Sequence, residues 1–385
     1  MHPIASMPNP PSPDPGTTIG VIANPVSARD IRRVVANASN LQTSDRVNIL
    51  LRLLASAAAC GVGQACMMPD KAGQRALLLR ALQRNSGAAA QGHGSVYPRL
   101  QFLDFDPESS VHDTYRATRE LAGRQVAAIV VLGGDGTHRA VVRELLRLDA
   151  AHIPLVAIST GTNNAFPEMR EPSVAGMALG LYASGRLQRA QALQANKLME
   201  VRIERADGSV EHDIAIVDAV VSSQRYVGAR ALWRADSIRS AFLAFAEPQC
   251  IGFSAIGGLL QPVPRQAPGG LAVHLSEGSN PARTVLAAPI APGMVVPLAI
   301  ADWHPLQADR SVELAPAGGT IALDGERELA FGEADRVSLT LREHRFHTVD
   351  VARCMQHAAA LGLMRWPPAS GAAQASMLHP PTRRP

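Results

Sequence analysis

No stretch of this chain is apolar for the ~18 uninterrupted residues that a membrane-spanning helix needs, so a helical anchor is excluded. Two familiar nucleotide loops are also missing. There is no GxxxxGK[ST], and both approaches to GxGxxG fail: Gly134-Asp135-Gly136 runs on to Arg139, and Gly61-Val62-Gly63 to Cys66, where the third glycine should stand. The four cysteines, Cys60, Cys66, Cys250 and Cys354, form no CxxC pair, and the twelve histidines form no HExxH, which excludes a disulfide framework and a zinc site. Reduced, mostly buried thiols in a cytoplasmic protein are expected. Aromatics make up only 4%, and 37 Lys and Arg against 33 Asp and Glu are spread without blocks, which excludes a nucleic-acid-binding stripe. The opening MHPIASMPNPPSPDPG has no basic stretch followed by an apolar core, so it is no signal peptide.

What is present is ample core material. With 385 residues, 46% of them hydrophobic, the chain predicts two domains with disordered ends at 1–16 and 367–385. Over 17–192, short apolar runs alternate with helical periodicity. Strands are expected at Thr18–Ala23, Val62–Met68, Leu100–Phe105, Val126–Leu132 and Ile153–Ile158. Helices are expected after Asn24-Pro25 (capped by Ser27 and Asp30), at 47–60, 71–84, Glu108–Ala122, after Gly136, and at Ser173–Ser184. Gly87–Gly94 reads as a loose loop. This is the pattern of an open parallel α/β sheet with right-handed crossovers.

From 193 to 345 the texture changes. Lys197–Ile203 and Val210–Val220 read as a hairpin around Asp207-Gly208, and short apolar runs at 271–275, 284–288, 311–314, 320–323 and 337–341 alternate with turns, as in a β-sandwich. Helical periodicity returns at Val349–Leu363, within a segment 346–366 expected to pack back on the first domain.

Three loops would leave one edge of the parallel sheet, where such sheets bind ligands. In Gly133-Gly134-Asp135-Gly136-Thr137 the glycines let backbone N–H groups approach phosphate, and Thr137 adds a hydroxyl at a helix start. A carboxylate there, Asp135, would be repelled by phosphate unless it holds Mg²⁺ or takes a proton from an attacking hydroxyl. Read alone, the turn is equally a helix cap. Ser159 to Asn164 brings Thr162, Asn163 and Asn164, which suit a sugar or phosphate and equally an Asx-type turn. Asn24-Pro25-Val26-Ser27 is, alone, a cap. His138 reads as an exposed first-turn residue, and Arg225, Arg230 and Arg234 as a solvated helix face.

Together these stretches resemble the ATP-NAD kinase superfamily, which includes the diacylglycerol and sphingosine kinases. The resemblance is carried by GGDGT at 133–137, Asn-Pro-x-Ser at 24–27, GTNNAF at 161–166 and Asp324-Gly325-Glu326. IANPVSARDIRR, VVLGGDGTHRAV, STGTNNAFP and RYVGARALW…AEPQCIGFSAIGG are most similar to its acetoin-catabolism protein X branch.

The resemblance implies an ATP- and Mg²⁺-dependent phosphotransferase with a nucleotide in the cleft between an α/β domain and a β-sandwich, and NAD(H) as acceptor on the way to NADP. It implies Asp135 as the catalytic carboxylate and Gly133, Gly134, Gly136 and Thr137 as the phosphate loop. Asn24, Ser27, Thr162, Asn163, Asn164, Asp218, Asp324 and Glu326 would line the nucleotide or acceptor site. No residue is assigned to a metal. One departure stands out: Val217 precedes Asp218 where NAD kinases carry an Asn. It keeps two alternatives open, a non-catalytic nucleotide sensor and a lipid or small-polyol kinase. A homo-oligomer is compatible with all of these, and no membrane insertion is expected.

Overall fold

The computed structural model describes residues 14–24, 41–90, 97–161, 164–223, 238–276, 281–315, 317–325 and 327–365. The predicted helix at 31–38, Ser27, Thr162, Asn163, Arg225, Arg230, Arg234, Glu326, residues 1–13 and the tail at 367–385 lie outside them.

In chain order the elements are strand β1 (Asp14–Ile22), helix α1 (Thr43–Ala59), β2 (Val62–Met67), α2 (Gln74–Ala90), β3 (Arg99–Phe102), α3 (Val111–Gly123), β4 (Ile129–Gly133), α4 (Asp135–Arg147), β5 (Leu155–Ser159), α5 (Pro172–Ala183) and the short α6 (Arg189–Ala192). There follow β6 (Leu193–Glu204), β7 (Val210–Ala215), β8 (Asp218–Ser222), β9 (Ile238–Leu243), α7 (Phe253–Leu260), β10 (Gly270–Leu275), β11 (Thr284–Ala291) and β12 (Met294–Leu306). The last are β13 (Ser311–Glu313), β14 (Gly319–Leu323), β15 (Arg327–Phe331), β16 (Arg336–Val349) and α8 (Val351–Ala360).

The first five strands are parallel, in the order β3-β2-β1-β4-β5. Their apolar residues do not alternate with polar ones because both faces are covered. Alternate side chains enter two separate cores, one under α3 and α4 and the other under α1, α5 and α8. Close packing in the second core demands a glycine: a Cβ on Gly176 in α5 would lie 2.2 Å from the Leu53 carbonyl oxygen of α1. The strand order reverses between β1 and β4. Loops leaving the carboxyl ends of those two strands part to opposite faces, which opens a crevice at the edge of the sheet. Asn24 follows one of these strands and Gly134 the other.

The sheet does not stop with β5. The chain's last strand, β16, lies parallel to β5 at Thr348–Leu155 and antiparallel to β6 from Arg336–Glu204 to Val349–Leu193, and β7 closes the row. A second, wholly antiparallel sheet has the order β11-β12-β10-β9-β8-β14-β15. It faces the β16-β6-β7 portion of the first sheet across an apolar layer that includes Met199, Val201, Phe242, Ile321 and Leu339. The fold is thus α/β, with a parallel sheet in the N-terminal half and antiparallel β-structure forming a sandwich in the C-terminal half.

Several boundaries differ from those read in the sequence. Helix α2 runs on to Ala90 and takes in Gly87–Ala90, read as loop. Helix α7 was not expected at all; its eight residues are too few for a clear period, and Gly252, at φ 72°, starts it in a conformation that glycine readily adopts. The expected strand Val210–Val220 is two strands. It breaks after Ala215, and β8 crosses to the second sheet.

Candidate functional site

The crevice at the β1–β4 reversal is built by tying the loops to one another. Asn24 donates both Nδ2 hydrogens inside the fold, to the Ser110 carbonyl and to Thr114 Oγ1, each at 3.0 Å. Its own carbonyl accepts from Arg46 Nη1 at 3.3 Å. Its side chain therefore anchors the end of β1 to the start of α3. Asn164 is used in the same way, donating to Ser159 Oγ at 2.9 Å and the Gly161 carbonyl at 3.3 Å.

The GGDGT turn joins β4 to α4, with Gly134 at the helix N-cap and Asp135 in the first turn. Gly133 is required by its neighbour: a Cβ there would sit 2.6 Å from the Thr137 Cβ, and Thr137 is buried. His138 corrects the sequence reading. It is 0% exposed, its Nδ1 lies 2.8 Å from the Gly134 carbonyl, and its ring meets Phe166 at 5.8 Å between centroids. Burial pushes it down to about 4, against the carbonyls of Gly134 and Val131, so it is neutral at pH 7.

Asp135 itself is half-buried, and each of its oxygens accepts a backbone N–H: Oδ2 from Ala165 at 2.9 Å and Oδ1 from Phe166 at 2.8 Å. The 161–166 stretch is thus brought to the GGDGT turn, as the resemblance implied, but through backbone the sequence did not single out. On their other side Ala165 and Phe166 present their carbonyls to Arg265, from the turn before β10. Arg265 is oriented by Glu247, with Nε to Oε2 at 3.2 Å, and lies over the rings of Phe245 at 4.4 Å and Phe166 at 5.6 Å. The turn is held from below by buried Lys197, whose Nζ donates to the carbonyls of Pro264 (3.2 Å), Ala267 (2.7 Å) and Gly269 (2.7 Å). Burial pulls this amine down to about 8, against the charges of Glu343 and Glu247.

Asp324 ends β14 at φ 50° with its side chain inside the protein. Its carboxylate accepts from the N–H groups of Ile216 (3.0 Å to Oδ2), Val217 (2.8 Å) and Asp218 (3.2 Å). This is why β7 and β8 are separate strands: the N–H groups at the break turn to a side chain instead of a neighbouring strand. Burial drives Asp324 up to about 7; Arg139 and the N–H groups of Ile216 and Val217 pull down, while the negative charge of Asp135 pushes up. The two Asp-Gly carboxylates are therefore within electrostatic reach of each other.

Arg139, one turn after Asp135 on α4, is buried between two acids. It lies 3.4 Å from Asp213 and 3.7 Å from Asp324, and Arg143 adds a 3.2 Å pair to Asp213. Val217, read as a lost ligand-binding amide, is 1% exposed within the apolar core, whereas Asp218 beside it is half-buried.

Sequence reasoning missed Arg139, Arg265, Glu247 and Lys197. Arg139 falls three positions before Val142 and seven before Leu146, on the buried stripe, and Lys197 shares the face of Met199, Val201 and Ile203. A cation at a core position needs a buried partner. That was a usable signal for these two. No such signal marks Arg265, which works from an irregular turn.

Among the described residues, no group of three or more His, Cys, Asp or Glu side chains is placed to hold a metal ion. Nor is any described helix long and apolar enough to cross a membrane. A cavity of about 100 Å³ adjoins Arg265 and Phe166, with Glu168, Arg170, Asn196 and Thr348 among its walls. Those walls are paired with one another, Glu168 with Arg170 and Asn196 with Thr348.

Residues 19–186 match the ATP-NAD kinase N-terminal domain, and residues 197–344 the acetoin catabolism protein X C-terminal domain. The acetoin catabolism protein X of Cupriavidus necator is 50% identical over 347 residues, which cover 90% of this chain and 94% of that one. The crystal structure of yeast NADH kinase complexed with NADH aligns at a TM-score of 0.46 and 11% identity, over 93% of this chain and 91% of that one. With half of its residues shared along nearly the whole of a relative, the chain belongs to the acetoin catabolism protein X family and carries an N-terminal domain of the ATP-NAD kinase type.

Proposed function

We propose that this protein is an ATP-dependent phosphotransferase acting on a hydroxyl of a small molecule, with NAD(H) the first acceptor to test and a metabolite of acetoin breakdown the second. The reading is carried by one observation: Asp135 stands half-buried at the carboxyl end of β4, in the first turn of α4, with Asp324 within electrostatic reach behind it.

Helix α4 starts at the carboxyl end of β4, and a helix N-terminus in that position suits the phosphates of ATP. Magnesium fits only as part of the nucleotide complex. The described residues build no three-ligand site for it, and Mg²⁺ commonly rests on phosphates, waters and one or two carboxylates. Bound there, it would neutralise phosphate charge.

The chain's own contribution is placement and proton handling. The N–H groups of Ala165 and Phe166 fix the plane of the Asp135 carboxylate. A substrate hydroxyl donating to that carboxylate is aimed at the terminal phosphorus. Its oxygen forms the new bond to phosphorus as the bond to the leaving ADP oxygen breaks, and its proton passes to Asp135. Neutral His138, behind the turn, adds no charge that would compete for the phosphates.

A second reading is a nucleotide sensor without catalysis. It is favoured by the same two N–H bonds, which give Asp135 a purely structural duty, and by the burial of Val217, which leaves no amide for an acceptor. The test is ADP release by the purified chain with Mg–ATP and NAD⁺, NADH, acetoin or small diols, beside Asp135→Asn. Acceleration by one acceptor, lost in the variant, supports the kinase. Nucleotide binding with no acceptor-dependent ADP formation sinks it and leaves the sensor.

A further inference from the structure

The peptide unit joining Ala165 to Phe166 is gripped at both ends. Its N–H, on Phe166, donates to Asp135 Oδ1, and its C=O, on Ala165, accepts from Arg265 Nη2. In a trans peptide these two groups point in opposite directions. The unit is therefore a dipole with its positive end on a carboxylate and its negative end on a guanidinium. The two flanking peptide units are each held at one end, the Phe166 carbonyl by Arg265 Nη1 and the Ala165 N–H by Asp135 Oδ2.

We propose that Arg265 is the positioning residue for Asp135: it holds the Ala165–Phe166 backbone from the side of the second sheet and thereby sets where the two N–H donors place the carboxylate. Aligned hydrogen bonds polarise one another, so a cation at the carbonyl end strengthens the bond at the N–H end. Arg265 suits this task because its planar fork presents two parallel donors, which the point charge of a lysine cannot do. The fork is itself fixed. Glu247 accepts from Arg265 Nε and from its backbone N–H at 3.1 Å, and Phe245 packs against the guanidinium plane. Lys197 pins the turn that carries Arg265 by three of its carbonyls. The geometry of a carboxylate on the first sheet is thus set by a turn belonging to the second. Any closing or parting of the two sheets, on binding an acceptor, would reach Asp135 through this one peptide.

The kinetic consequence rests on reading Asp135 as the carboxylate that receives the acceptor hydroxyl; the structural consequence does not. The full-length chain, labelled with ¹⁵N and ¹³C, is compared by NMR with Arg265→Lys, Arg265→Gln and Glu247→Gln. The observables are the amide protons of Ala165 and Phe166 and the pH titration of the Asp135 carboxyl carbon. In Arg265→Gln the Phe166 amide proton should move upfield and the Asp135 midpoint should rise; Arg265→Lys and Glu247→Gln should fall between that variant and wild type. If Arg265→Gln does not fold, the two milder variants make the same comparison. Folded variants with wild-type amide shifts and an unmoved Asp135 midpoint would overturn the proposal. Where an acceptor has been found, kcat should fall with KM for ATP unchanged. If the NMR response appears but no acceptor is ever phosphorylated, the positioning role stands and the kinase reading falls.

Discussion

Asp135 and Asp324 stand in the same kind of local sequence, an aspartate before a glycine at the end of a buried strand, and both hold backbone N–H groups, yet the protein uses them differently. Asp324 receives N–H groups from three consecutive residues, shares Arg139 and is 5% exposed. It is the keystone at which the chain passes from the first sheet to the second. Asp135 receives two N–H groups, from a segment that the opposite sheet grips through Arg265, and it is half-buried at the crevice. A similar local sequence does not make an identical role. What separates them is burial: Asp324 is enclosed within the protein, whereas Asp135 stands half-buried.

If that distinction is right, Asp135→Asn should show the largest effect on activity. Phosphotransfer to whichever acceptor works should fall by about 10²- to 10⁴-fold, the span of a lost general base, while ATP binding persists. Steady-state kinetics beside calorimetric nucleotide titration checks this, and an active Asp135→Asn would place the two aspartates in one structural class.

Arg139→Ala should be next, acting on stability. Removing the cation strands Asp213 and Asp324 inside the protein, at a cost of about 3–5 kcal/mol for a broken buried pair. Denaturant unfolding measures it, and a loss under about 1 kcal/mol would mean that the buried acids are solvated or protonated without Arg139.

Val217→Asn restores the residue type expected of an NAD kinase. Because this side chain lies in the apolar core, the change should cost about 1–3 kcal/mol without raising affinity for NAD⁺. A gain in affinity at unchanged stability would show that the side chain reaches the ligand.

The smallest effect is one of pH. Burial raises Asp324 on folding from the ordinary aspartate range to about 7, so the stability its protonated form contributes is fully present below about pH 4 and is lost as pH rises through about 7. Asp324→Asn should flatten that decline between pH 4 and 7 in thermal melts compared at each pH. A wild-type profile with no such component would make Asp324 an ordinary ionised acid.

Some of this was written into the linear chain. Gly133 to Thr137 follow the seven apolar residues Val126 to Leu132 and precede a helical stripe, so a strand, a turn and a helix at a sheet edge follow from periodicity alone, and the parallel order follows from helices set between buried strands. Asn24 and Asn164 were legible as loop polar groups but not as internal ties, because an amide beside a turn can bond inward or outward and only the packing chooses. His138 was misjudged because local spacing says which face of an element a residue occupies, not what covers that face.

What the sequence alone determined is the set of local conformations and the kinship that GGDGT, GTNNAF and the late Asp-Gly carry, since both depend on neighbours within a few positions. What only the tertiary structure decided is the company that Asp135 keeps. Ala165 and Phe166 lie 30 and 31 positions away from it, and Arg265 a further 99 or more beyond them. No periodicity links such positions. They meet because β16, the last strand, lies between β5 and β6 and brings the second sheet over the edge of the first.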